Sequence, residues 1–185
     1  MLTPAERAEI LGLARETLQE FLKTGKLSKK SLTNPKFKEK HGVFVSLHTK
    51  QGDLRGCIGL IEAIKPLGIA VQDMVLAAAT DDPRFMPVTL NELRNLKIEI
   101  SVLSLLSRLG GIKDINQIEV GKHGLLIQSG PHCGLLLPQV ATEYGWTREE
   151  FLAHTCQKAG LPLDAWNRSN TEIYLFTAEV FGEPD

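Results

Sequence analysis

The run Leu54-Arg55-Gly56-Cys57-Ile58-Gly59 concentrates the chemistry of this chain. Cysteine acts as a nucleophile or redox group through its thiolate, and a neighbouring cation favours that form. In an extended strand the side-chain period is two, so Asp53, Arg55 and Cys57 are expected on one face. Arg55 is then expected beside the thiol, lowering its pKa, with Asp53 acting in the opposite direction. Glycine within a strand marks a bulge or the close approach of another group. The missing side chains at Gly56 and Gly59 are expected to leave room for a ligand beside the sulfur. The same residues also have a purely structural reading, because free cysteine often packs as a small buried hydrophobe. If the thiol is functional, Cys57 should be alkylated ahead of Cys133, in an apolar strand, and Cys156, on the inner stripe of a helix.

Two other groups of residues invite the same question. Asp81-Asp82-Pro83-Arg84-Phe85 places two carboxylates, a guanidinium and an aromatic ring in one turn after a helix. Asp82, Arg84 and Phe85 there either contact a substrate or form a capped turn with an internal ion pair. His123, in Gly121-Lys122-His123-Gly124, is the best-placed general base by composition, and it is equally a turn histidine. Phosphate-loop, dinucleotide, nucleophile-elbow and zinc-protease signatures are absent. The three cysteines are too scattered for a paired metal-ligand motif, and His132 and Cys133, adjacent in a strand, point to opposite faces. No metal and no cofactor are expected.

These residues need a framework to position them, and 185 residues with 43% hydrophobic content can bury a full core. No apolar run approaches the ~20 residues of a membrane span. The N-terminus MLTPAERAEI is charged within six residues and lacks an apolar h-region, so a cytoplasmic protein with reduced thiols is expected. The net charge of −1 hides an asymmetry. Residues 23–50 carry eight Lys against one acid, Glu39. That stretch lacks arginine for base reading and has only Phe37 and Phe44 for stacking, so it reads as a solvated connection more readily than as a nucleic-acid site.

Thr3-Pro4-Ala5-Glu6 is a capping box opening a helix with an apolar stripe at Ile10, Leu11, Ala14, Leu18, Phe21 and Leu22, and Gly25 is its expected stop. Val43–His48 and Leu54–Ile61 read as a hairpin around a Lys50–Asp53 turn. Pro66 opens a helix to about Ala79, and the run Ala77-Ala78-Ala79 predicts close packing against a neighbour. A second capping box, Thr89–Glu92, predicts a short helix before the alternating strand Lys97–Ser104. Strands flank Ser129-Gly130-Pro131, a short helix spans Pro138–Tyr144, and a third box at Thr147–Glu150 opens a helix ending near Gly160. Glu172–Phe181 is apolar on both faces and reads as one central strand. The elements do not alternate as βαβ units, which predicts an α+β fold of antiparallel sheet with helices packed on it, without a linker between independent domains.

LRGCIG at 54–59, AAATDDPRF at 77–85, EISVLS at 99–104, VGKHGLLI at 120–127, LLLPQVA at 135–141 and EFLAHTCQKAGL at 150–161 resemble, in order, the AMMECR domain family. Its prokaryotic members are called AmmeMemoRadiSam system protein A. The resemblance spans roughly residues 3–183 and implies a single AMMECR-like domain over 1–185 with two unequal lobes, the larger built from both chain ends. It also implies partnership with a Memo-like protein and a radical S-adenosylmethionine protein, and it supplies no settled activity.

The reading that joins these threads is a cysteine-dependent enzyme, or a subunit supplying a thiol to those partners. In it Cys57 is the nucleophile, Arg55 its activator and His123 the base, with Gly56, Gly59, Asp82, Arg84 and Phe85 at the substrate. The alternative is a non-catalytic binding or adaptor module in which the hexapeptide serves recognition or packing. A nucleic-acid-associated regulator is the weaker third.

Overall fold

Helix α1, Pro4–Thr24, begins where the capping box places it. The Thr3 N–H donates to Glu6 Oε2 at 2.7 Å, and the Glu6 N–H donates to Thr3 Oγ1 at 3.3 Å. It ends at Gly25, whose φ of 68° lies in the left-handed region that glycine adopts without a Cβ penalty. Ile10, Leu11, Ala14 and Leu18 are its buried stripe. Thr3→Ala removes the acceptor for one orphan helix N–H and is expected to cost about 1 kcal/mol. Urea denaturation measures this, and an unchanged midpoint would show that the box does not hold the helix end.

The computed structural model describes residues 1–26, 30 and 32–184. These divide into two compact units, Met1–Leu103 with Glu179–Asp185, and Ser104–Ala178. Both are built of helices and antiparallel sheet, the α+β organisation that the sequence predicts.

In the first unit, β1 (Val43–Thr49) and β2 (Leu54–Leu60) form the expected hairpin. β3 (Leu96–Leu103) pairs antiparallel with the other side of β1, giving the strand order β2-β1-β3-β8, with β8 at Ala178–Gly182. α1, α2 (Leu67–Thr80) and the inward residues Val43, Val45, Leu47, Ile98 and Ile100 share one apolar core. In the second unit the order is β4-β7-β5-β6, where β4 is Ser107–Arg108, β5 Gly124–Ser129, β6 His132–Leu136 and β7 Glu172–Phe176. α3 (Pro138–Glu143) and α4 (Arg148–Lys158) complete it. Leu125, Ile127, Phe151, Leu152, Cys156 and Ile173 lie in its core. The third capping box is formed at Thr147 and Glu150.

Three expectations change. Glu172–Phe181 is not one central strand. It is β7 and β8 in two different sheets, with β8 at an edge and Val180 exposed. An apolar run records burial but not which sheet supplies it. The Thr89 box forms, with Glu92 Oε2 accepting from the Thr89 N–H and hydroxyl, yet the helix after it is only a 3-10 turn at Leu93–Asn95. The lysine-rich stretch contributes internal contacts. Lys30 Nζ pairs with Glu16, and Lys36 Nζ donates to the Met1 carbonyl. Lys29 lies outside the described residues.

Candidate functional site

β2 is an edge strand with two distinct faces. Ile58 and Leu60 turn toward the core of the first unit. Gly56 turns the same way and is buried. A Cβ built on it would lie 2.1 Å from the carbonyl oxygen of Ala78 in α2. Gly56 is therefore a glycine because a helix backbone crosses the strand there, and the Ala77–Ala79 run is the other half of that contact. A Cβ at Gly59, on the opposite face, would lie 2.3 Å from the Phe44 ring, its cross-strand partner. Both positions are occupied by the protein itself, so neither leaves the ligand space expected of it.

Cys57 stands on the outward face opposite Ser46 of β1. It is half-buried, and its sulfur accepts the Ser46 hydroxyl at 3.2 Å. Its N–H points off the edge of the sheet and donates to Asp82 Oδ2 at 2.8 Å. Burial pushes the thiol up. The Ser46 hydroxyl and the Arg84 charge draw it back, Asp82 and Glu99 add to the rise, and the net result is a raised pKa. The expected lowering does not occur, and neither Arg55 nor Asp53 is among the groups acting on the thiol.

The reason lies in the register. β1 and β2 slip between Leu47 and His48, which face Gly56 and Leu54, so Arg55 is the extra residue of a bulge. A bulge re-aims its side chain and breaks the simple alternation. Arg55 Nε donates to Glu92 Oε1 at 2.8 Å, and its guanidinium lies 5.9 Å from the centre of the Phe85 ring. Burial acts to raise the Glu92 carboxyl, and the bonds from Arg55 and Thr89 outweigh it and hold it low.

The turn after α2 is the best-satisfied part of the cluster. Asp82 is 4% exposed. Besides the Cys57 N–H it accepts the Arg84 N–H, Nε and Nη2, the last two at 2.9 and 2.7 Å. Those bonds from Arg84, opposed by burial and helped by the Cys57 N–H, hold its carboxyl well below the usual carboxylate range. Arg84 lies 5.4 Å from the Phe85 ring centre, so Phe85 is flanked by both guanidinium groups. Asp82, Arg84 and Phe85 thus form a capped turn with an internal ion pair, and that turn is also what holds Cys57 in place.

His123 belongs to the second unit. Its Nδ1 accepts the Glu119 N–H at 3.1 Å, and its own N–H donates to the Glu119 carbonyl at 2.9 Å, closing a turn. The cluster around Cys57 is assembled from first-unit residues. Sequence reasoning missed Ser46, Phe44, Glu99 and Glu92 in it. The first three were accessible. Alternation of Val43–His48 puts Phe44 and Ser46 on the outward face, and the pairing of β1 with β3 sets Ser46 opposite Glu99. Among the thiols, Cys156 is buried as expected, whereas Cys133 is exposed, because its end of β6 carries little cover.

The fold and this cluster define a two-unit α+β chain whose edge-strand cysteine is fastened to a buried aspartate. The chain belongs to the AMMECR1 family, whose profile matches residues 11–181. Protein PH0010 of Pyrococcus horikoshii is 46% identical over 181 residues, covering 94% of this chain and 88% of the relative. Protein MK0488 of Methanopyrus kandleri is 43% identical over 189 residues, covering 100% of this chain and 91% of its own. The crystal structure of PH0010 matches with a TM-score of 0.89, over 95% of this chain and 90% of that one.

Proposed function

We propose that the protein is a binding subunit, acting in the cytoplasm with a Memo-like protein and a radical S-adenosylmethionine protein, and not a free-standing cysteine enzyme. One observation carries this reading: the Cys57 thiol is held neutral. Burial raises its pKa, and the groups that act on it are Ser46, Arg84, Asp82 and Glu99, none of them an imidazole. A nucleophilic cysteine needs a lowered pKa or a base oriented beside it. The two glycines of the hexapeptide serve packing, and Arg55 is committed to Glu92. The hexapeptide therefore reads as a strand shaped to receive α2 and to be pinned by Asp82. For location, the supporting fact is that among the described residues no helix is long and apolar enough to cross a membrane.

A cysteine-dependent reaction is the second reading. It is favoured by the Ser46 hydroxyl and the Arg84 charge, both of which stabilise a thiolate once it forms.

Alkylation and capture separate the two. With iodoacetamide, read by peptide mass spectrometry across pH, Cys133 is expected to react before Cys57. Cys57 should titrate above the ordinary thiol value of about 8.5. The tagged chain is expected to form a saturable complex with the purified Memo-like or radical S-adenosylmethionine protein of the same genome, and Cys57→Ser should retain it. Rapid alkylation of Cys57 with a depressed pKa would move the cysteine-dependent reading to the front. Absence of any complex with either protein would sink the subunit reading.

A further inference from the structure

The second unit contains a cleft of about 610 Å³, a size typical of small-molecule sites, well away in sequence from the Cys57 hexapeptide. Its polar wall is formed by Arg108, Asn167, Arg168, Ser169 and Thr171, and Trp166 stands among them. Leu109 and Ile173 supply apolar surface from the core. The cleft arises from the topology. Arg108 lies on β4, which pairs with β7, and residues 166–171 are the turn that leads into β7.

We infer that this cleft binds a small organic anion, a planar ring bearing a phosphate or carboxylate. Three independent features converge on that chemistry. The first is charge: two guanidinium groups line the cleft against one carboxylate, Glu172. Glu172 is itself engaged by Arg108 and by the Tyr174 hydroxyl. Each arginine meets its carboxylate through Nη2 alone, Arg108 to Glu172 and Arg168 to Asp164. The rest of each planar fork is left to grip an anion in the two-pronged manner that favours carboxylates and phosphates. Both pairs are near the surface, where such pairing is weak and readily exchanged for a ligand. The second is Trp166, a partly buried indole packed on the core of the unit, which gives a ring something to lie against. The third is Thr171, whose Oγ1 is buried in the wall of the cleft with no hydrogen-bond partner. A buried hydroxyl without a partner carries a desolvation penalty, which a ligand acceptor or donor at that point removes.

The site is independent of the subunit reading and survives its failure. Isothermal titration calorimetry of the full chain tests it with four probes: adenosine monophosphate and benzoate, each joining a ring to an anion, and adenosine and inorganic phosphate, each carrying one half. At least one of the two ring anions is expected to bind saturably, and the better of the pair tells phosphate from carboxylate. Either half alone should bind about tenfold more weakly or worse. The double variant Arg108→Gln/Arg168→Gln should lose about tenfold or more in affinity at an unchanged melting temperature. Trp166→Phe should weaken the ring anions and leave inorganic phosphate alone. Lys122→Gln, a charge removed elsewhere in the same unit, should change nothing. The inference is overturned if neither ring anion saturates below about 1 mM. It is equally overturned if the double arginine variant binds as the wild type does, or if Lys122→Gln lowers affinity as much as the arginine changes.

Discussion

Gly56→Ala is expected to destabilise the protein by about 3 kcal/mol or more, although alanine is the smallest possible addition. The new methyl would lie 2.1 Å from the Ala78 carbonyl oxygen, and that oxygen is helix backbone, unable to step aside as a side chain does. Relief requires α2 to move off the sheet, which opens the core that Val71, Val75 and Ala78 share with β1. Alanine also gains roughly 0.5–1 kcal/mol over glycine through the unfolded chain, and that gain is too small to rescue it. Gly59→Ala is the internal control. Its obstacle is the Phe44 ring, a side chain on the outward face that can rotate, so a cost of roughly 1 kcal/mol is expected. Urea unfolding of the two variants measures the difference. Equal midpoints would mean that the backbone contact at Ala78 does not limit residue 56.

Asp82→Ala is expected to cost about 2–3 kcal/mol at neutral pH, below the upper range for a broken buried pair because half of Arg84 meets solvent. The carboxylate accepts from the Cys57 N–H and from three donors of Arg84, so its removal orphans an edge-strand N–H and a charge together. The dependence on pH has a definite sign. The folded state holds this carboxyl below its unfolded value of about 3.9, so between the two the unfolded chain binds the extra proton. Its stabilisation is complete above the unfolded value and drains away as the pH falls from about 5 toward the folded pKa. The gap between wild type and Asp82→Ala should therefore be widest near neutrality and should narrow in acid. A gap that stays constant from neutral pH to pH of about 3 would show that the carboxylate is not the stabilising species. The same variant removes a negative charge that raises the Cys57 thiol, so its pKa should fall.

Both predictions concern residues that were first considered for chemistry, and both come from their part in holding the strand. Fastening a strand edge to a helix and to a turn makes a rigid, specific surface. That is what a subunit needs when its partners carry the reaction.

Local structure was legible in the sequence wherever it is decided within a few residues. The boxes at Thr3 and Thr147 form as read because donor and acceptor are three residues apart. The hairpin of β1 and β2, the stop at Gly25 and the break after Thr80 follow from turn chemistry and from the backbone limits of glycine and proline. The α+β class follows from the order of those elements. Even the close packing of the Ala77–Ala79 run was readable, as small residues with a neighbour still to be named.

What only the tertiary structure decided is which distant residue fills each position. Gly56 had the pattern of a ligand cradle, and the space is taken by a carbonyl 22 residues away in α2. Arg55 had the spacing of a thiol activator, and a one-residue slip in the hairpin sends it to Glu92. The Cys57 pKa moves up because burial is a sum over every neighbour, and no local window contains that sum. Glu172–Phe181 split between two sheets because hydrophobicity sets whether a residue is covered, while the path of the rest of the chain sets by what. Period and propensity act over a turn or a strand, and contacts between elements act over the whole chain, which is why the elements could be read and the site could not.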